Sequence, residues 1–440
     1  MQEVTAIKHN GNTIWEKTEP IDYASKYFTI TNVGSTTNTI QIHCTGATAS
    51  KTYSYSTDGE TWTDVISRTT PTIATLAVGE SVMVKSNGAN ADSRFGYWNY
   101  FTGTDYFEAS GNIASLCFGD NFNTGSYLTM PDYAYKGLFS TSNGKLFSSR
   151  NLYFGDYETV SQHGLDDAFY GCTSLTTAPD LSSFTSIGSY GCNAMFMDCQ
   201  ALISAPSLTA TSLADNCYSN MFRNCTSLTI APALPVTTLA TYCYNSMFKD
   251  CTSLTTAPAL PATILANGCY YAMFEGCSSL VSPPTISATI LAQSCCAEMF
   301  DTCTSLTTPP ALLATTIEKQ SYENMFYGCS SLVHVPDFRH VTTVKNKGMS
   351  YMFKRTAITT SPVLSNIVNV ESRGMEYMFN ECYSLKTVYA PSLGTWDTDK
   401  TYKWMMNTTF DGTMYADSVT AQTIPIGESG VPSGWTVTNI

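Results

Sequence analysis

The chain has 440 residues, 43% of them apolar, and a net charge of −13, so it can bury a large core. Only 13% of its residues are charged, about half the usual share. With 35 acidic against 22 basic side chains, no basic stripe exists to displace counterions from a nucleic acid, and no run of eighteen apolar residues spans a membrane.

Thr, Ser, Asn and Tyr replace charge on the expected surface, which suits hydrogen bonding and stacking against sugars or another protein. The start, Met1-Gln2-Glu3-Val4, lacks the basic stretch, apolar run and small-residue cleavage site of a signal peptide. Either such a signal was already removed or the protein is not exported by that route, and the initiating Met favours the second reading. Residues 1–20 read as a leader or docking hairpin, with Asn10-Gly11 as a type I′ turn signal between apolar residues. The segment resembles short N-terminal pieces of phage tail and fibre proteins, in which a small β-element docks on the virion. An ordinary leading hairpin has the same pattern.

Residues 21–118 alternate with period two, as in Tyr27-Phe28-Thr29-Ile30-Thr31 and Thr39-Ile40-Gln41-Ile42-His43. Turn signals such as Asp58-Gly59 and Asn87-Gly88 separate the strands. The spacing predicts a small antiparallel β-sandwich. Ser56 to Trp62 resembles the Asp-box hairpin of sialidases but is one residue short and occurs once; such boxes are structural turns. Residues 119–163 form a connector and N-terminal cap, with Leu138-Phe139 as a degenerate first rung.

Residues 164–395 repeat one unit. Met-Phe recurs at Met195-Phe196, Met221-Phe222, Met247-Phe248, Met273-Phe274, Met299-Phe300, Met325-Phe326, Met352-Phe353 and Met378-Phe379, in steps of 26 with a single 27. A fixed period of this length marks a solenoid. Leu254, Leu260 and Leu265 recur in every rung as apolar columns. In the rung Cys251–Gly276, Leu254 to Pro261 reads as a short extended strand, its pairing kept brief by Pro258 and Pro261. Asn267 to Phe274 reads as a short helix with Cys269, Tyr270, Met273 and Phe274 turned inward. About nine rungs at the strand spacing give a rod of roughly 45 Å. The predicted fold class is mainly β with short helices: a β-sandwich followed by an α/β leucine-rich-repeat solenoid and a C-terminal cap.

The unit resembles the BspA-like leucine-rich repeat of Bacteroides and Treponema surface proteins, whose repeat runs Ala-Phe-x-x-Cys-x-x-Leu-x-x-Ile-x-Ile-Pro. Met247-Phe248-Lys249-Asp250-Cys251-Thr252-Ser253-Leu254 matches its first half. Ala-Pro-Ala-Leu-Pro departs from the second. The order of domains is similar to that of proteins of gut Bacteroidales and of their phages. The resemblance implies adhesion or recognition and carries over no catalytic residue.

Fourteen of the 16 cysteines lie in the repeats. Cys199, Cys225, Cys251, Cys277 and Cys303, beside Phe222, Phe248, Phe274 and Phe300, are expected to form a structural ladder. Replacement by Thr356 in one column, and by Gly191, Ser321, Gly348 and Gly374 in the other, says each column needs a small side chain. Buried cysteine acts as a small hydrophobe, and a thiol ladder favours folding in a reducing compartment. No metal, cofactor or catalytic motif is read in the sequence. Asp166-Asp167 and Asp397-Asp399 are carboxylate pairs within reach of Ca²⁺ or a sugar, but solvated turns explain them more simply.

Residues 396–440 depart from the period and read as a cap that hides the last core face. Trp396, Tyr402, Trp404 and Tyr415 are its candidate binding residues, and the Thr-rich strand side of the rungs, with Thr229, Thr255, Thr256 and Thr307, is a second binding face or a spacer. The reading is a non-enzymatic virion structural or receptor-binding protein, fibre-like or tail-tip-like, of a phage infecting gut Bacteroidales. Its partners would be other virion proteins through the N-terminal domain and a host surface glycan or protein, with a possible homo-oligomer and no nucleic acid. The alternatives are a bacterial cell-surface adhesin and an accessory module of a glycan-active enzyme.

Overall fold

The computed structural model describes residues 6–9, 12–16, 22, 25–44, 51–88, 95, 99–123, 127–140 and 144–440. Strands β1 (Ala6–His9) and β2 (Asn12–Glu16) pair antiparallel as a hairpin. Its turn, Asn10-Gly11, lies outside the described residues.

The next strands are β3 (Phe28–Asn32), β4 (Asn38–Cys44), β5 (Thr52–Ser56), β6 (Thr63–Ile66), β7 (Thr72–Leu76), β8 (Ser81–Ser86), β9 (Asn99–Gly103), β10 (Phe107–Asn112) and β11 (Leu146–Tyr153). They make a six-stranded sheet in the order β11-β10-β3-β8-β5-β6 and a three-stranded sheet in the order β7-β4-β9. Alternation along β3 and β4 turns Phe28, Ile30, Ile40 and Ile42 inward, as period two requires. Asp58, in the β5–β6 turn, accepts N–H bonds from Glu60 and Thr61 at 2.8 and 2.7 Å. Those donors hold its carboxyl well below the usual range, so the Asp-box-like hairpin is a fastened turn.

Strand β11 joins the two domains. β11 runs parallel to β10, and on its other side Ser148 bridges Thr177 of the first full rung. Residues 127–140 complete the joint: Tyr135, Gly137 and Phe139 donate to the carbonyls of Gly164, Asp166 and Ala168. The sandwich sheet therefore runs into the solenoid without a linker.

Within the solenoid the expected short helix is replaced by a run of turns. Gly268, Ala272 and Gly276 take left-handed φ of 57°, 50° and 74°, and the same every-fourth-residue pattern returns at Asn216, Asn220 and Asn224. Backbone donors alternate in direction. Tyr271, Met273 and Glu275 bond three residues back, to Gly268, Tyr270 and Ala272. Gly268, Tyr270, Ala272, Phe274 and Gly276 bond across to Gln293, Cys295, Ala297, Met299 and Asp301 of the next rung. Half of the donors thus leave the rung, which a helix with its i−4 ladder does not allow. Cys269, Tyr270, Met273 and Phe274 still point inward and are buried. The strand expected over Leu254–Pro261 shortens to single bridges, Thr256–Ser282 and Leu260–Ile286, because its prolines supply no ladder donor.

Phenylalanine rings stack through the core. Phe222, Phe248, Phe274 and Phe300 lie 5.6–5.8 Å apart with planes within 7°. The column starts at Phe139, which touches Phe28, Phe101 and Phe107 of the sandwich, and ends against Trp404. Beside it the thiols of Cys225, Cys251, Cys277 and Cys303 donate to the Phe carbonyl of the rung before, at 3.0–3.1 Å, and Cys199 does so at 3.2 Å. That bond explains a small side chain that is also a donor. Thr356 instead turns its hydroxyl to Phe353 of its own rung, at 2.8 Å.

Burial pushes these thiols up, Cys243 to about 12 and Cys382 to about 11, and thiolate is the reactive form. Cys44 is the one of the sixteen that is not buried. Native protein at pH 8 is therefore expected to label with a thiol reagent at Cys44, and at all sixteen in denaturant. Rapid native labelling of Cys251 or Cys277 would contradict this packing.

Four parallel strands close the far end: β17 (Thr360–Val363), β19 (Thr387–Tyr389), β20 (Gly412–Ala416) and β21 (Trp435–Asn439). The rung strands that complete the numbering are β12 (Thr159–Val160), β13 (Ser186–Ile187), β14 (Ser212–Leu213), β15 (Thr316–Ile317), β16 (Thr343–Val344) and β18 (Asn369–Val370). Among the described residues no helix is long and apolar enough to cross a membrane.

Candidate functional site

The cap residues divide between core and surface. Trp404 is fully buried and Trp396 and Trp435 nearly so. Their indole N–H groups donate to the carbonyls of Gly430, Ser429 and Thr409 at 2.8–2.9 Å. Trp396 and Trp404 are therefore the plug that ends the aromatic column, which corrects their expected place on a binding tip. The missing next rung is the physical reason: its apolar face must be covered. Tyr415 is half-buried on Tyr389. Tyr402 is exposed.

Tyr402 belongs to a face that the sequence reading did not assemble. Tyr351 stacks on Tyr377 at 4.9 Å, and Tyr377 meets Tyr402 edge-on at 5.7 Å. The Lys354 ammonium lies 5.5, 5.6 and 6.0 Å from the rings of Tyr327, Tyr351 and Tyr377, within cation–π range. Arg373 and Lys403 each lie 5.6 Å from Tyr402. Arg355 Nη1 donates to the Tyr327 hydroxyl at 3.1 Å, and its Nε to Glu381 at 2.5 Å. The same Glu381 is 3.6 Å from Lys354, and Arg355 beside it holds its carboxyl below the usual range. Burial and the nearby Glu376 push the Tyr351 hydroxyl up, so it stays protonated as a donor.

Next to this strip a cleft of about 470 Å³ is lined by Ser330, Arg355, Thr356, Ala357, Glu381, Tyr383 and Ser384. The arrangement offers flat rings, guanidinium groups and hydroxyls to a ligand, which is a recognition surface. The sequence held two signals for it. Tyr351, Tyr377 and Tyr402 recur at 26 and 25 residues, and nine of the 22 basic residues fall in the short stretch 339–403.

The remaining candidates resolve as structure. Asp166 is buried; it pairs with Lys136, accepts His163 Nδ1 at 2.6 Å and holds Asn193 at 2.9 Å. It is an internal clasp, and neither the solvated turn nor the Ca²⁺ reading describes it. Burial draws the Lys136 ammonium down, and the two carboxylates Asp166 and Asp167 more than reverse that. Asp397 caps its own turn, accepting the Asp399 N–H at 3.0 Å. Thr229, Thr255, Thr256 and Thr307 are exposed on the strand side, interrupted by exposed Ile203, Ile230, Val281 and Val333.

Asp301 sits among like charges. Burial, then Glu275 and Glu298, push its carboxyl up to about 7. A carboxyl raised above its unfolded value favours the folded state when protonated. The contribution is complete below about pH 4 and is lost as pH rises through 7. Unfolding free energy is expected to fall by about 1–2 kcal/mol between pH 5 and pH 8, allowing for solvent screening. D301N should remove that slope in urea titrations; an unchanged slope would place its origin elsewhere.

Residues 165–281 match the BspA type leucine rich repeat region, in six copies. The chain carries BspA-type leucine-rich repeats. Residues 294–420 match a family described as a Mycoplasma protein of unknown function, DUF285. Among solved structures, the chain is similar to a leucine-rich repeat protein from Bacteroides ovatus, at 15% identity and a TM-score of 0.35 over 70% of this chain and 87% of that one. It is also similar to one from Eubacterium ventriosum, at 15% identity and a TM-score of 0.36 over 71% and 75%. No curated protein matches it. BspA-type repeat proteins are often surface-exposed, and their fold is typically non-catalytic.

Proposed function

We propose that this BspA-type protein is a surface-displayed, non-enzymatic recognition protein that binds a glycan or protein on a bacterial surface. The observation that carries the reading is the tyrosine–cation face of half-buried Tyr327, Tyr351 and Tyr377 and exposed Tyr402 on an otherwise acidic rod. Aromatic and arginine side chains are the groups that anchor most recognition surfaces. In the finer form of the proposal the chain is a fibre-like or tail-tip-like virion protein of a phage infecting gut Bacteroidales. The sandwich docks on other virion proteins and the rod projects. The N-terminal hairpin and the thiol ladder support that form; the repeat family supports the alternative, a cell-surface adhesin.

The test is a pull-down of the untagged protein on intact Bacteroides cells, with and without capsule, beside a Y377A/Y402A variant. Cell binding that drops about tenfold or more in the variant supports recognition through this face. Binding that the variant leaves intact overturns it. Mass spectrometry of purified phage particles then separates the two homes, since the virion form requires the protein in the particle.

A further inference from the structure

We infer that the cleft where the sandwich meets the first rungs is a binding site for an uncharged saccharide. This cleft, of about 420 Å³, is lined by Val33 and Tyr106 of the sandwich, Phe147 of β11, and Thr173, Ser174 and Thr176 of the first rung. Ligand sites of this size, with apolar walls and a few polar groups, favour domain junctions. Here β11, an edge strand of the sandwich sheet, also bonds to the first full rung through Phe147, Ser148 and Ser149.

The wall is not explained by packing. Tyr106 and Phe147 are each 41% exposed, and Val33 nearly as much. Three large apolar side chains from three segments converge on one opening. Phe147 also breaks its own column. The position one after the first ladder leucine carries Thr176, Ile203, Thr229, Thr255, Val281, Thr307 and Val333 in later rungs. An aromatic stands only at this end of that series, beside the cleft.

The lining chemistry selects the ligand. The two rings meet edge-on, 6.4 Å apart at 65°, so one presents a face while the other closes a side. Such a corner suits the C–H face of a pyranose. Thr173 and Ser174 on the rung side supply hydroxyl donors and acceptors for its hydroxyl groups, and Thr176, whose own hydroxyl donates to the Phe147 carbonyl at 3.1 Å, supplies an acceptor. Within a chain of net charge −13 the lining holds no carboxylate. The Lys145 ammonium rests 4.7 Å from the Tyr106 ring and fixes that ring at the rim.

The site is independent of the tyrosine–cation face, so failure here leaves the cell-binding reading intact. The experiment uses saturation-transfer NMR and calorimetry on the full chain with three uncharged probes: maltotriose, cellotriose and chitotriose. F147T installs the residue that the same column carries at Thr176 and Thr229, so it preserves the fold. Y106A removes the second ring from the outer surface and guards against an unexpected folding defect in F147T. V333T, on the same strand side far along the rod, is the control. At least one probe is expected to bind the wild type and V333T equally, and to weaken about tenfold or more in F147T and Y106A. Binding of none of the three, or binding that both cleft variants keep, would overturn the inference.

Discussion

Phe274→Ala is expected to cost about 3–5 kcal/mol of folding stability. The ring is fully buried between Phe248 and Phe300, at 5.6 and 5.8 Å. Alanine leaves a cavity that these neighbours cannot fill, because the inter-rung hydrogen bonds of Phe248 and Phe274 fix the backbone spacing. Each lost ring contact adds about 0.5–1.5 kcal/mol to the area lost. In a solenoid such damage stays between nearest neighbours, so the urea transition should broaden or split as the two halves uncouple. Thr255→Ala, on the exposed strand side of the same rung, should change stability by less than about 0.5 kcal/mol. A cost below about 1 kcal/mol for the Phe274 variant would mean that the column is not the element holding the rungs together.

Asp166→Ala should be as damaging, by about 3–5 kcal/mol, for an electrostatic reason. Three elements converge on this one buried carboxylate: Lys136 from the 127–140 joint, His163 three residues before it and Asn193 from the next rung. His163 is itself sandwiched between Tyr133 and Tyr190, at 4.7 and 4.9 Å. Removing the carboxylate leaves a half-buried ammonium whose second partner, Asp167, is 3.3 Å away. K136M should recover part of the loss. The double-mutant cycle of K136M and D166A is therefore expected to show strong coupling, and additive effects would refute the clasp.

The rung was legible because its columns repeat: Leu254, Leu260, Leu265 and Phe274 were assigned inward from spacing and are buried. Its backbone was not. Cys269, Met273 and Cys277 step by four residues, and over two steps a period of four departs from the helical 3.6 by less than half a turn's sector. Local pattern alone cannot separate a helix from turns whose donors reach the next rung. Trp396 and Trp404 failed differently. A tryptophan that plugs a column and one that binds a ligand have the same composition signal, and only the place where the stack ends separates them. The tyrosine–cation face was hidden because Tyr327 and Lys354 share one column of the repeat and Tyr351 and Tyr377 another, and the two columns meet only when rungs stack.

The alternating donors also decide how the rod answers force. Bonds between rungs lie along its axis, so tension on the two ends loads one interface after another. Each rung that peels off releases about 26 residues, roughly 90 Å of contour, in exchange for one stacking distance of under 6 Å. No linker separates the sandwich from the rungs, because β11 pairs with β10 on one side and bonds to the first full rung on the other. A tether of this construction lengthens more than tenfold, rung by rung, before its anchor is strained.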